Sequence, residues 1–283
     1  MFCLVLGVGS SFAQLADKRE TDAEGRELKG KIRSVKIVTE VIEAADKNKT
    51  SDGWIPSEIT FDKFGNIERA VQFGSDGSVE NTSVAEIDKD GNKLKEIFCN
   101  AVGELRFTHV FDYDKRGNVV EFKRIEPNGE ITGLSRFDFD KQGRNESNIS
   151  YNTDGTVNMT TEIIYNKLGE RVGETSSTPE HGVITSVEYK RSKDNGVETV
   201  ETTIRGVDGS ITAKYIDTND RDGNESTLSY SPDGRLEGKQ TWEYSQKDQN
   251  GNWTVEIMTK WEPKDDDLVI KLKKKTIRTI KYY

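Results

Sequence analysis

Phe111-Asp-Tyr-Asp-Lys-Arg-Gly-Asn-Val119 decides the reading of this chain. An aromatic and acidic alternation runs into a short polar turn at Gly117, and apolar residues resume at Val119. Gly117 belongs to a series: Gly65, Gly91, Gly117, Gly143, Gly169, Gly196, Gly223 and Gly251, spaced 26, 26, 26, 26, 27, 27 and 28 residues apart. A second series interleaves with it: Gly77, Gly103, Gly129, Gly155, Gly182, Gly209 and Gly234. Internal repetition of this regularity marks an array of one supersecondary unit. Asp-Gly and Asn-Gly supply the positive φ that tight hairpin turns need. A turn every 12–14 residues leaves strands of roughly 8–10 residues, too short a run between glycines for helices.

The apolar columns keep the same register. Two residues after each glycine of the second series stands an aliphatic residue: Val79, Leu105, Ile131, Val157, Ile184, Ile211 and Leu236. Eight residues after the first four glycines of the first series stand Phe73, Cys99, Ile125 and Tyr151. Leu105, Phe107, Phe111 and Tyr113 share one strand face, while Arg106, Thr108, Val110 and Asp112 share the other. The expectation is an all-β, antiparallel β-hairpin repeat array with a repeat of about 26 residues, two strands each. Fifteen turns imply about sixteen strands, and a flat sheet of that size would be roughly 75 Å wide. Open sheets so wide curl. The sequence therefore predicts a rolled or coiled sheet with a thin core and atypical capping ends.

Composition agrees. The 283 residues carry 41 Lys+Arg against 50 Asp+Glu, a net charge of −9, with 33% hydrophobic residues and mean hydropathy −0.75. An acidic chain is a poor general nucleic-acid binder, which needs cations to release counterions. Two cysteines, Cys3 and Cys99, are too few for a disulfide scaffold or a zinc site.

Four segments are expected. Residues 1–13 read as a signal peptide: Phe2–Val8 is a short apolar run, and Ser11 and Ala13 are small residues at the positions a signal peptidase reads. No Lys or Arg precedes that run, so the true start is expected upstream; a buried N-terminal strand is the alternative. Residues 14–54 are a lead-in, as a mobile stretch or short helix, followed by a strand over Lys31–Ala44. Residues 55–255 are the repeat array. Residues 256–283 form capping strands, and from Lys260 onward cations outnumber acids by 8 to 4.

Phe111-Asp-Tyr-Asp-Lys-Arg-Gly-Asn-Val, Phe137-Asp-Phe-Asp-Lys-Gln-Gly-Arg-Asn and Phe61-Asp-Lys-Phe-Gly-Asn-Ile resemble the Rhs/YD repeat of bacterial secreted and surface proteins. The resemblance covers roughly residues 55–255 and weakens after Gly169, where Ser192 and Asn219 replace the aromatic. It implies a β-shell, and it supplies no catalytic residues. Toxin delivery does not carry over, because nothing resembling a self-cleaving core or toxin domain is present.

Candidate chemistry is sparse. His109 and His181 are the only histidines, and no Gly-x-Ser-x-Gly elbow follows the signal segment. Cys99 aligns with Phe73, Ile125 and Tyr151, the pattern of a buried thiol. Asp88-Lys-Asp90-Gly91-Asn92 and Asp220-Arg-Asp222-Gly223-Asn224 look like calcium loops, but Ile97 and Ser229 fall where an EF-hand needs Glu. They read as hairpin turns, with weak surface calcium binding left open. Trp54, Trp242, Trp253 and Trp261 are the candidate partner-binding residues, as rings that stack on sugars; the alternative is core or edge cover. Lys271–Arg278 reads as edge protection, or as a surface for anionic glycans.

The expected protein is an exported, non-enzymatic module of the bacterial envelope or exterior. Its role is structural or binding, with a glycan or envelope protein as partner. It has no catalytic residues, cofactor or metal, and no transmembrane segment in the mature chain. The alternatives are a glycosidase-like hydrolase with an unrecognised carboxylate site and a decayed fragment of an Rhs-type delivery protein.

Overall fold

The computed structural model describes residues 22–44, 57–74, 76–265 and 267–283. The signal peptide of residues 1–13, the loop Asp46–Gly53 and Trp54 lie outside the described residues. The described chain contains one short 3-10 turn, Glu24–Arg26, and otherwise strands. They are β1 (Ile32–Ala44), β2 (Glu58–Phe61), β3 (Ile67–Phe73), β4 (Val79–Ile87), β5 (Lys93–Asn100), β6 (Leu105–Tyr113), β7 (Val119–Ile125), β8 (Ile131–Phe139) and β9 (Asn145–Tyr151). Then follow β10 (Val157–Tyr165), β11 (Arg171–Thr178), β12 (Gly182–Asp194), β13 (Val197–Arg205), β14 (Ile211–Asn219), β15 (Glu225–Tyr230), β16 (Leu236–Lys247), β17 (Trp253–Lys264) and β18 (Asp267–Tyr282).

The expectation of a rolled or coiled sheet with capping ends is corrected here. All 18 strands belong to one antiparallel sheet, and β1 pairs with both β2 and β18, so the strand order closes on itself as a barrel. The physical reason is the edge. A sheet end leaves a row of bare N–H and C=O groups, and closure alone removes both edges. Tyr283 N–H donates to the Lys31 carbonyl (3.1 Å), and the hydroxyls of Thr39 and Thr276 share a 3.4 Å hydrogen bond. The basic stretch Lys271–Arg278 is therefore not on an edge.

The turns show why this sequence makes hairpins. In the loop 114–118, Asp114 N–H donates to the Asn118 carbonyl (2.9 Å) and Gly117 N–H to the Asp114 carbonyl (3.1 Å). Gly117 has φ +87°, and the ladder slips by one residue between Asp112 and Tyr113. This is the three-residue hairpin loop that ends in a left-handed glycine and a bulge. The Asp114 carboxylate accepts from the N–H groups of Arg116 (2.8 Å) and Asn118 (2.9 Å) and from the Asn118 side-chain amide (2.9 Å). Asp62, Asp88 and Asp220 repeat the pattern with Asn66, Asn92 and Asn224. Asn195-Gly196 differs: φ values of +49° and +81° at both residues close a two-residue loop between Asp194 and Val197.

These turns make the fold acid-sensitive. The hydrogen bonds from Ser78, Thr156, Ser210 and Asn224 hold Asp76, Asp154, Asp208 and Asp220 below their ordinary value of 3.8. Burial opposes the shift at Asp114 and Asp140, but donation from Asn118 and Arg144 outweighs it. A carboxylate lowered on folding stabilises the native state above its unfolded pKa, and that contribution is lost as pH falls through the folded value. The thermal midpoint should stay level down to about pH 5 and drop below about pH 4. A midpoint unchanged between pH 5 and pH 3 contradicts this.

Two compact units divide the chain. The first comprises Ile59–Ile163 with residues 22–34 and Tyr282–Tyr283. Its buried apolar side chains gather at its start: Ala23, Leu28, Ile32, Ile59, Phe61, Ile67, Ala70 and Val71. From β4 to β10 much of each strand is half-buried, and in β4, β6, β8 and β10 the exposed positions, such as Glu80, Val84 and Glu86 or Thr132, Arg136 and Asp138, concentrate on one face. The second comprises Ile164–Lys281 with residues 35–44 and 57–58, and its strands are likewise mostly half-buried.

The aliphatic column after the second glycine series is not a buried core. Leu105 and Ile131 are more than two-fifths exposed. They pair across their hairpins with the other column, Leu105 with Cys99 and Ile131 with Ile125, as do Val79 with Phe73 and Val157 with Tyr151. The two columns meet as cross-strand pairs at the hairpin mouths, where such contacts fix register.

Candidate functional site

In the first unit, pairing sets one strand face in line. Glu96 of β5 stands opposite His109 of β6, His109 opposite Arg124 of β7, and Arg124 opposite Gly133 of β8. Two residues along, Phe98 faces Phe107, and on the other side Phe111 faces Phe122. The result is a row of rings. Phe98 stacks on Phe107 (centroids 4.5 Å apart, 25° between planes), and His109 lies 4.8, 5.0 and 4.9 Å from Phe98, Phe107 and Phe122. Phe111 continues it at 5.5 Å from Phe122.

Charged groups border the row. The Arg124 guanidinium lies 3.8 Å from the Phe107 ring centroid and ion-pairs with Glu126 (2.8 Å). Ser83 Oγ donates to Glu96 (2.8 Å), and Lys93 Nζ stands 3.6 Å from Glu96. Gly133 leaves room for Arg124, since a Cβ there would meet Arg124 Cβ at 3.2 Å. Burial pushes the His109 imidazole below its ordinary value of 6.5; Glu96 opposes this, while Arg124 and Lys93 reinforce it. Burial thus favours the neutral imidazole. Half-exposed rings beside a carboxylate, an imidazole and a guanidinium can stack on an apolar ring face and hydrogen-bond its polar rim.

The tryptophans are not assembled. In the second unit, Trp253 packs against Tyr244 (5.2 Å), and Arg278 lies 3.2 Å from its ring centroid. The half-buried Glu256 sits on the neighbouring register, and burial raises its carboxyl despite Arg278 and Thr276. Burial first, then Glu225 and Glu256, raise the Tyr244 hydroxyl. Trp242 pairs with Met258, and Trp261 pairs with Lys239, whose ammonium lies 5.3 Å from its ring centroid. Because Met258 and Trp261 are an odd number of residues apart on β17, Trp242 and Trp261 face opposite sides. Trp253 and Trp261, eight residues apart, stand about 27 Å apart along the strand.

The other candidates sit as follows. His181 is in an exposed turn, its Nε2 3.6 Å from Glu180. Cys99 is a half-buried free thiol opposite Leu105 and Thr82. The Asp88 and Asp220 carboxylates accept N–H donors on both oxygens, which is turn chemistry and leaves them poorly disposed to a cation. Among the described residues no group of three or more His, Cys, Asp or Glu is placed to hold a metal ion. No helix among them is long and apolar enough to cross a membrane, a test that does not apply to strands. Sequence reasoning missed the ring row because its members fall in different repeat columns. The alternation Phe107-x-His109-x-Phe111 was its one visible signal.

No protein-family model matches the chain. No curated protein matches it. Among solved structures, a porin-like protein from Bacteroides uniformis ATCC 8492 is 11% identical with TM-score 0.47, over 89% of this chain and 98% of that one. A porin-like protein from Bacteroides vulgatus ATCC 8482 is 10% identical with TM-score 0.31, over 64% and 95%. A chain of the TcdB2-TccC3-Cdc42 complex is 11% identical with TM-score 0.25, over 76% of this chain and 13% of that one. None of these likenesses bears on activity.

Proposed function

We propose that this protein is a non-enzymatic binding module of the bacterial envelope or exterior, with repeats of the YD kind, and that it holds a glycan against the ring row of its first unit. The single observation that carries the reading is that row: Phe98, Phe107, His109, Phe122 and Phe111 in continuous contact, with Glu96 and Arg124 in register beside His109. The Asp-x-x-Gly-Asn turns, whose carboxylate and amide close on each other, support the YD assignment.

The barrel is read as water-soluble. A lipid-facing barrel needs an outward apolar band. Here the face opposite the rings carries Glu86, Lys95, Asp112, Glu121, Lys123 and Arg136, while the ring face itself carries Glu96 and Arg124. Neither face offers an uninterrupted apolar belt.

A glycan-array screen of the full chain, with and without calcium, tests the proposal. A hit is expected in both arms, and Phe107→Ala with Arg124→Ala should weaken it by about tenfold, the order expected from losing one stacking and one charged contact. No binding anywhere on the array, or binding untouched by the double variant when circular dichroism shows it folded, overturns it.

A further inference from the structure

We infer that the face of the first unit opposite the ring row docks an amphipathic cationic segment of a protein partner. The segment's apolar side lies on an exposed strip across β4 to β10, and its cations lie along the acidic turns beside that strip. The inference goes beyond the glycan reading and does not depend on it. Val84 pairs with Ile97, Ile97 with Thr108, Thr108 with Ile125 and Ile125 with Ile131, one register row across five strands. Ile97 lies between Glu96 and Phe98, and Thr108 between Phe107 and His109, so alternation turns this row away from the rings. Leu105, opposite Cys99, and Val157, opposite Tyr151, extend it at the hairpin mouths. Val84, Ile97, Leu105, Ile131 and Val157 are between 36% and 48% exposed. A single exposed Leu or Ile needs no explanation, but a contiguous row of them marks an interaction surface. From β4 to β10 the strip crosses six strand spacings, roughly 30 Å, and it runs about 10 Å along each strand.

The two borders of the strip differ in charge. On one side the nearest charges neutralise one another: Lys95 with Glu86 (3.1 Å), Lys123 with Asp112 (3.5 Å) and Arg136 with Glu121 (2.8 Å). On the other side lie the turns at Gly77, Gly103, Gly129 and Gly155, which carry acids and no Lys or Arg. Asp76, Glu104, Glu130 and Asp154 accept there from neutral side chains, those of Ser78, Asn100, Asn128 and Thr156. None of these four carboxylates has an ion-pair partner among the described residues. Glu126 is the exception, paired with Arg124. Arg106, exposed beside Leu105, is a cation on this border and donates to Asn81 (3.0 Å), so four unpaired carboxylates stand against it.

Charge selects the occupant. The strip calls for an apolar side of its own length with cations along one edge. An amphipathic helix of about 20 residues has that length and carries Lys or Arg beside its apolar face. A second copy would set its own acidic turns against the same acids or against charges already paired, and gains no attraction either way. An anionic bilayer is repelled by the same turns, and the strip is much shallower than the ~25 Å apolar band of a lipid-spanning barrel.

The test measures binding of the full chain to a labelled amphipathic Leu/Lys peptide of about 20 residues by fluorescence anisotropy. A scrambled peptide of the same composition should bind at least about tenfold more weakly, and a Leu/Glu analogue should not bind. Leu105→Ser with Ile131→Ser should weaken binding by about tenfold, the loss of two apolar contacts. Glu104→Gln with Glu130→Gln should weaken it by about threefold and flatten its dependence on salt. Val183→Ser, at an exposed apolar residue of the second unit, should change it by less than about twofold. All the replaced side chains are exposed, so folded variants are expected by circular dichroism, and the Glu104→Gln, Glu130→Gln variant keeps the test decisive should the other double variant fold poorly. The inference is overturned if the Leu/Lys peptide does not bind, if the scrambled peptide binds as well, or if either double variant is folded and binds as the parent does. It is also overturned if sedimentation shows a dimer of the parent that Leu105→Ser with Ile131→Ser abolishes, or if anionic vesicles bind the parent and not that variant.

Discussion

Phe61→Ala should destabilise the protein by about 4 kcal/mol, the usual cost of emptying a phenylalanine site in a packed interior. Phe61 has no exposed surface, and among the described residues its buried apolar companions lie between Ala23 and Val71. The same residue anchors the closure through its backbone, because Tyr283 Oη donates to the Phe61 carbonyl at 2.6 Å. Ile131→Ala is the matched comparison. Ile131 is 41% exposed, so its truncation should cost less than about 1 kcal/mol. Thermal unfolding followed by circular dichroism reads both. Equal losses at the two positions would mean that packing is spread evenly through the repeats, contrary to the burial seen here.

The second large effect is expected at Gly173. A Cβ added there would stand 2.6 Å from the carbonyl oxygen of Val187, a backbone atom of the paired strand. Gly173 pairs with Glu188 and Glu174 with Val187, so that carbonyl cannot retreat without disturbing the β11–β12 ladder. Gly173→Ala should cost about 3 kcal/mol, the upper part of the range for overpacking. Gly129→Ala isolates the other reason for glycine in this chain. Its Cβ would meet nothing within 4 Å, but φ is +87°, so only the left-handed backbone is penalised, by about 1 kcal/mol. If unfolding midpoints show Gly129→Ala to be the more damaging change, the clash at Gly173 is relieved by a movement that this structure does not contain.

The turn framework was legible in the sequence, and for a local reason. Every one of the fifteen glycines in the two series has positive φ, because each turn is specified by a few consecutive residues. The strand expected over Lys31–Ala44 appears as β1, Ile32–Ala44, almost to the residue. Closure was not legible. It depends on β1 meeting β18, and Thr39 and Thr276, which join them, are 237 residues apart with no local mark of their partnership. The location of the tight core was also hidden. The aliphatic columns have the right period for burial, yet the bulge after each glycine turns Leu105 and Ile131 toward solvent at the hairpin mouths. The candidate site followed the same division. Phe107, His109 and Phe111 alternate visibly, but Phe98 and Phe122 join them only through the pairing of neighbouring strands.

The pairing of β1 with β18 also orders events in time. Nearly all other pairings join neighbouring hairpins, and short loops close in microseconds or less. Bringing the two ends together must await the strands between them and carries the largest chain-entropy penalty in the molecule. Until then each copy presents two bare edges, one at either end of a long ribbon, and an edge does not distinguish its own partner from the same strand of another copy. Whether the ribbon becomes a ring or a chain of molecules is then a contest between effective concentration within one copy and actual concentration among many.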